Sequence, residues 1–491
     1  MRRLLSLVLP LVPLLSSPLR AGDADDFAGV WQGTLTAPDR TTAIGVAFTR
    51  TEQGLLASLF FPEMFVYNVN FGPAAIRDGV FHLPALDLTL RREGDALAGT
   101  LAAPRLPVKL HRGTAFAPEP PEPEYPAPPA PAWTHPLGAP AWASPVAREG
   151  IVYVGTTDGA FHAVRADDGR EAWTWHGTVP LYGEALVTDE LVCFVDARSE
   201  LVALDRTDGS FVWRAPLHEA TLAGRAVPAD ETFTHRTAAP VIDARGILYV
   251  GSTDGGLYAL RARTGRVLWR HPAGAPIHAA VALQGDSLVA GCLDGSVFVL
   301  NRRTRRETLR VKLGGPVVST PVIAGDTLVV GARDALLYGL SLARGAVMWR
   351  DSYWFSWVES TPRLAGGTLY AGGSDFRRVS ALSPADGRFL WSTDVLGLAW
   401  GTPVVENDTV FAGTAGQHRA GTVIRHAGGI VALDRRTGAV KWRFAAPVPA
   451  GAEMSGYAGS LVLAGDKIVG AGLDGTLVAF VSAAPAATPA R

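Results

Sequence analysis

Sulfur is scarce in this sequence, whose 491 residues include two cysteines and four methionines. Two thiols, Cys193 and Cys292, exclude a disulfide framework and cannot by themselves build a structural zinc site. An excess of either charge is missing as well: 45 basic residues face 46 acidic ones, for a formal net charge of −1. That balance excludes a global electrostatic hold on nucleic acid or on an anionic membrane. No apolar run reaches the roughly 20 residues that a membrane-spanning helix needs. The G-x-S-x-G nucleophile elbow, the phosphate-binding P-loop and the H-E-x-x-H zinc motif are absent too.

Turn formers are abundant. The 54 glycines and 35 prolines exceed the usual combined share of about 12% and favour strands and turns over long helices. The first residues read as an address. Arg2 and Arg3 precede an apolar stretch, Leu4 to Leu15, which contains Pro10 and Pro13 and is followed by Ser16, Ser17 and Ala21. This is the layout of a secretory signal peptide, residues 1–21, cleaved near Ala21. We therefore expect an exported, periplasmic or otherwise extracytoplasmic protein, with no cysteine at the cleavage region to carry a lipid.

Residues 26–113 alternate short apolar segments with Gly, Asp and Pro. GVWQGTL, AIGVAFT, LLASLFF, VYNVNF, GVFHL, LDLTLRR, ALAGTL and LPVKLHR make eight strands, enough for a small antiparallel barrel or sandwich. The opening W-x-G-x-L strand resembles that of lipocalin-like β-domains, which implies an ancillary or binding role. Residues 114–131 fall in a proline-rich run, APEPPEPEYPAPPAPA from Ala117 to Ala132, expected to be an extended linker.

Residues 132–482 repeat one unit. IVYVGTTDGAFHAVRADDGREAW (Ile151 to Trp173) matches ILYVGSTDGGLYALRARTGRVLW (Ile247 to Trp269). A marker residue recurs at Trp133, Trp173, Trp213, Trp269, Leu309, Trp349, Trp391 and Trp442. A period of about 40–45 residues with four strands per unit predicts propeller blades, and eight markers predict eight of them. The last unit lacks its own marker strand, whereas Trp133 has no earlier strands before it. Residues 132–137 should therefore supply the outer strand of the last blade and close the ring. The fold class is all-β, and residues 483–491 read as a disordered tail.

The motif A-x-D-x-x-T-G-x-x-x-W, as in ALDRTDGSFVW (Ala203 to Trp213) and ALDRRTGAVKW (Ala432 to Trp442), resembles the tryptophan-docking repeat of PQQ-type quinoprotein propellers. Two groups share it: PQQ-dependent dehydrogenases and the non-catalytic group typified by BamB. The former implies PQQ stacked on a disulfide of adjacent cysteines, with calcium held by a Glu/Asn/Asp set. Cys193 and Cys292 are not adjacent, and each Asp-Gly (Asp158-Gly159, Asp254-Gly255, Asp294-Gly295, Asp474-Gly475) reads as a hairpin turn. We expect two buried thiols and no cofactor, with PQQ and calcium as the alternative. The BamB group implies a protein–protein scaffold at the cell envelope. A carbohydrate-binding module is a further reading.

Departures from the repeat point to one face. With strands lettered A to D from axis to rim, B–C turns and D–A connections share that face. Extra length falls at Arg214 to Arg236 and between Phe411 and Ile430, aromatics at Asp351 to Ser360, and charge at Asp375 to Arg378. Loops on a rigid scaffold carry function, so a protein partner or extended peptide is expected there, on a monomer. Taking the residue two before each Ser/Thr-Pro position gives Trp142, Tyr182, Thr237, Ile277, Val318, Glu359, Trp400 and Tyr457 at the channel mouth. Trp142, Tyr182, Trp400 and Tyr457 would form an aromatic arc. Trp354, Phe355, Trp357, Glu359, Arg377, Arg378, His418 and Arg419 complete the candidate binding set, and none is assigned catalysis. His418 and His426 read as a solvated basic loop in preference to metal ligands.

Overall fold

A computed structural model describes residues 26–482 apart from 37–40, 53, 65, 84–87, 102–105, 219–236, 354–355, 375–376 and 419–425. The segment proposed for export, the tail, and Trp354, Phe355 and Arg419 thus lie outside the described residues. Two compact units divide the chain, one up to Glu124 and one from Tyr125 onward.

The first unit is a single curled antiparallel sheet. Its strands are β1 (Gly29–Thr36), β2 (Thr41–Thr51), β3 (Gly54–Phe61), β4 (Val66–Pro73), β5 (Ile76–Arg77), β6 (Val80–Leu83), β7 (Leu88–Glu93), β8 (Ala96–Leu101) and β9 (Leu106–Gly113). They run in the order β4-β3-β2-β1-β9-β8-β7-β6-β5, one strand more than expected, because the two-residue β5 pairs with β6. Period-two alternation buries one face, so that Phe27, Phe48 and Phe81 meet edge to face at 5.4 and 4.9 Å. Trp31 is fully buried. Its indole N–H donates to the Phe27 carbonyl at 2.6 Å, and the guanidinium of Arg112 covers the ring at 4.4 Å.

The second unit is a propeller of eight four-stranded blades. Seven follow chain order, from the blade that begins at Val146–Arg148 to the one that ends at Val440–Ala445. The eighth is assembled from both ends of the propeller. Val462–Ala464, Lys467–Ala471 and Thr476–Val481 are joined by the early strand Trp133–Pro136, with Trp133 opposite Ala479 and Pro136 opposite Thr476. The ring closes as the marker arithmetic requires.

Its core lies between blades. Trp133 and Leu137 pack with Val152, Val154 and Val164 of the first blade and with Val469 and Leu477 of the eighth. The reason for the repeated motif is visible in the tryptophans. Indole N–H groups of Trp133, Trp173 and Trp213 donate to the carbonyls of Ala166, Arg206 and Ala262 in the next blade, at 2.9, 3.0 and 2.8 Å. Each ring lies on the glycine of that blade's turn: Gly169, Gly209 and Gly265, all left-handed with φ of 73°, 75° and 65°. A Cβ there would stand within 2.8 Å of the indole, so glycine serves both the turn and the docking.

The Asp-Gly pairs are hairpin turns. The N–H of Gly159 donates to Thr156 O at 3.1 Å, with equivalent bonds at Gly255, Gly295 and Gly475. Cys193 and Cys292 are free and buried, and burial pushes both thiols up to about 12. Among the described residues no helix is long and apolar enough to cross a membrane.

Candidate binding site at the propeller axis

The face with the irregular connections is pinned together blade by blade. In each case a B–C turn donates to the D–A connection before it: Thr157 to Pro140, Ala197 to Pro180, Leu293 to Pro276, and Ser374 to Trp357, at 2.9–3.2 Å. These bonds leave the residues just before each innermost strand facing the axis. They enclose a solvent-open hollow of about 590 Å³ that every blade helps to line.

Trp142, Tyr182, Thr237, Val318 and Trp400 line this hollow. Trp142 and Trp400 stack with ring centroids 6.3 Å apart and an interplanar angle of 23°. Trp400 is buried and donates from its indole N–H to Ser374 Oγ at 2.8 Å, whereas Trp142 and Tyr182 are half-buried.

Tyr457 and Ile277 do not belong to the arc. Both are core residues, 2% and 1% exposed, and burial raises the Tyr457 phenol far above its ordinary range. The fourth and eighth blades carry Ala280-Val281 and Ser460-Leu461 where the first, fifth, sixth and seventh carry Ser/Thr-Pro. Without that landmark the alignment slips by one residue, and in extended chain one residue separates core from lumen. His278 takes the place expected for Ile277 at the hollow. Tyr457 instead packs beside Gly413 and Gly470, and Ala458, the residue two before Ser460, is fully buried.

The remaining candidates hold the loops in place. Glu359 is buried and accepts from Arg333 Nε at 2.8 Å, and the same guanidinium lies 4.3 Å over Trp357. Arg377 is 4% exposed and binds Asp394 at 2.5 Å, while Arg378 opens the strand Arg378–Leu382 opposite that same aspartate. His418 continues a local pairing beyond the seventh blade, donating its backbone N–H to Glu453 O at 2.8 Å. Its ring meets Ser455 Oγ at 2.8 Å. That pairing joins the long strand Thr409–Gln417 to Met454–Gly456 and accounts for part of the extra length there.

One residue at the hollow escaped the sequence reading. Where five blades place a Ser or Thr and two an Ala, the second blade places Glu184. Glu184 is exposed to the open hollow; partial desolvation by the lining around it holds its carboxyl above the ordinary range, and the positive charge of Arg363 pulls the other way. The signal was present in LYGEALV, which breaks the Ser/Thr-Pro pattern. At the same level hydroxyls stitch neighbouring blades. Ser460 Oγ accepts from Thr402 N at 2.9 Å, Ser144 Oγ from Ser460 N at 3.0 Å, and Thr361 Oγ1 from Thr320 N at 3.0 Å.

The donors at this site do not fit a calcium–quinone pair. Calcium takes six to eight oxygens, carboxylates prominent among them. Here Glu184 is the one carboxylate among the residues that line the hollow, and three of the hydroxyls already bind backbone amides. The two thiols sit in separate blades, Cys193 within Leu191–Val195 and Cys292 just after Ser287–Gly291. What the hollow offers instead is apolar aromatic area, N–H and O–H groups and a single acid, a set suited to holding an extended segment or loop.

Residues 127–272, 253–355 and 340–484 match a family model described as outer membrane protein assembly factor BamB. A curated relative, BamB of Yersinia pestis, is 25% identical over 148 residues, covering 29% of this chain and 36% of that protein. The matched segment therefore spans about a third of the relative's length. Among solved structures, the computationally designed Ika8 protein aligns with a TM-score of 0.56 and 16% identity, over 71% of this chain and 98% of that one. Quinohemoprotein alcohol dehydrogenase from Comamonas testosteroni aligns with a TM-score of 0.56 and 14% identity, over 74% and 78%. At such identities these two likenesses establish the fold alone.

Proposed function

Since the chain belongs to the BamB family, matched by the family model from residue 127 to 484, we propose that it is an exported, non-catalytic scaffold that holds another protein at the cell envelope. The observation that supports this reading most is the hollow at the axis, with Trp142, Tyr182 and Trp400 in its lining. Tyr and Trp anchor interfaces because they bury large area for little lost side-chain freedom. Trp142 and Tyr182 are half-buried there, on rigid blades, with Glu184 as the one fixed charge of the lining. An extended strand or a loop of a client enters such a hollow end-on and leaves its charged flanks in water.

Site-specific photocrosslinking tests the proposal. A benzophenone side chain at Tyr182 is expected to capture a discrete envelope protein that the same probe at Phe211, which is 54% exposed at the rim, does not capture. Equal adducts at both positions, or none at Tyr182, would overturn the assignment of this face. A new absorption band or dye reduction on addition of PQQ and Ca²⁺ would overturn the non-catalytic reading.

A further inference from the structure

The seam where the ring closes brings together three side chains that the repeat does not call for. His135 lies on the closing strand Trp133–Pro136 of the eighth blade. His162 and Glu171 belong to the first blade, on Ala160–Arg165 and Glu171–His176. One ligand atom from each lies within 4.8 Å of the other two. The corresponding position to His162 is Val202 in the second blade and Tyr258 in the third, so an imidazole here is a departure from the pattern.

Its hydrogen bonds fix the tautomer. Thr174 Oγ1 donates its only hydrogen to Glu171 Oε2 at 2.8 Å, so its contact with His162 Nδ1 at 3.2 Å requires that nitrogen to be the donor. The lone pair is then on Nε2. His162 is 6% exposed, and its Nε2 is buried without a hydrogen-bond partner, as is Nε2 of His135. Leaving a buried polar atom unsatisfied is costly, and two of them close together beside a carboxylate ask for a common partner. A metal ion is such a partner: neutral imidazole presents a lone pair, and the Nδ1–H held by Thr174 is the outer-shell bond that metal-ligating histidines make.

We propose that His135, His162 and Glu171 bind one zinc ion that clips the closing strand of the eighth blade to the first blade. Two imidazoles and a carboxylate match zinc in donor type and leave a fourth position for water. In a tetrahedral site, ligand atoms about 2.0–2.2 Å from the metal stand roughly 3.3–3.5 Å apart, so the three groups need to converge by little more than 1 Å. Glu171 is exposed and can swing to do so. The clip would brace the closing strand against the first complete blade, while its hold on the rest of the eighth blade rests on four residue pairs with Thr476–Val481.

Equilibrium dialysis of the whole exported chain against Zn²⁺, followed by thermal unfolding, tests this. One zinc per chain is expected, with a melting temperature raised by about 3–6 °C at a hundredfold excess over Kd. His135→Gln and Glu171→Gln, at half-buried and exposed positions, are expected to keep the metal-free melting temperature and to lose both uptake and shift. His418→Gln should retain both. Uptake that survives His135→Gln and Glu171→Gln, or no uptake by the unmodified chain, would overturn the site. Uptake without a thermal shift would overturn the clip.

Discussion

The rim and the axis of the propeller are built from the same eight repeats, yet they vary in different ways. At the rim, the marker position is tryptophan in seven blades and Leu309 in the other, and even Leu309 lies on the turn glycine of the next blade, Gly345. At the axis, hydroxyls stand at Ser144, Thr320, Thr361, Thr402 and Ser460, but the second, third and fourth blades put Glu184, Ala239 and Ala280 in that ring. The rim repeats because each blade must dock on its neighbour by one geometry. The axis is free to vary once the blades are docked, and its variation gathers in one contiguous arc beside the aromatic wall. Uniform positions therefore report assembly, and the positions that break uniformity report what this chain does.

The largest expected effect lies at the rim. Trp213→Ala removes the bond to Ala262 O and the packing on Gly265, and should destabilise by about 3–5 kcal/mol in urea unfolding. Trp133→Ala removes the same contacts from the strand that closes the ring. It should exceed Trp213→Ala, because the strand that carries Trp133 is held to the rest of its blade by pairing with Thr476–Val481 and by no chain connection. Equal losses would mean that the seam is no weaker than any other junction.

Much of this was legible in the sequence, for a physical reason. A blade-to-blade contact made eight times leaves eight copies of its signature, so D-x-x-T-G-x-x-x-W disclosed the fold, the blade count and the closing strand together. The axis was legible only where Ser/Thr-Pro marked the register. Trp142, Tyr182 and Trp400 were placed correctly, whereas Tyr457 was placed one residue out and turned from lumen to core. Arg377 and Glu359 read as binding candidates because nothing in sequence shows that Asp394 and Arg333 wait beside them. The seam cluster stayed hidden because His135 belongs to the eighth blade in space and precedes the first in the chain.

Within the axis the two stacked tryptophans should part company. Trp400→Ala leaves a hole in a fully packed position and takes the indole donor from Ser374, for an expected loss of about 3 kcal/mol. Trp142→Ala, at a half-buried position, should lower stability by about 1 kcal/mol, chiefly the ring contact, while abolishing the crosslink proposed at Tyr182. Both would be read in parallel urea titrations. A turn pair sharpens the rim further. Gly246 and Gly209 share the left-handed conformation, φ 73° and 75°, but a Cβ at Gly246 meets nothing while one at Gly209 stands 2.5 Å from the Trp173 ring. Gly246→Ala should cost about 1 kcal/mol for backbone strain alone, and Gly209→Ala visibly more.

The smallest effect concerns Glu184, and its sign separates two accounts of the axis. Its side chain is exposed to the open hollow, and crowding by the surrounding lining holds its carboxyl above the ordinary range, with Arg363 opposing that shift only in part. The folded chain then binds a proton there more tightly than the unfolded one. Stability consequently declines as pH rises from the ordinary glutamate value, about 4.3, through the raised one, and the full penalty is present above it. Glu184→Gln removes the titration, so its urea midpoint should lie above that of the unmodified chain at pH 7 and converge with it near pH 4. Arg363→Gln removes the opposing charge and should lower the midpoint at pH 7. A lower midpoint for Glu184→Gln at pH 7 would mean that the carboxylate is held by favourable partners and belongs with the structural groups of the ring, leaving the aromatic wall alone to recognise a client.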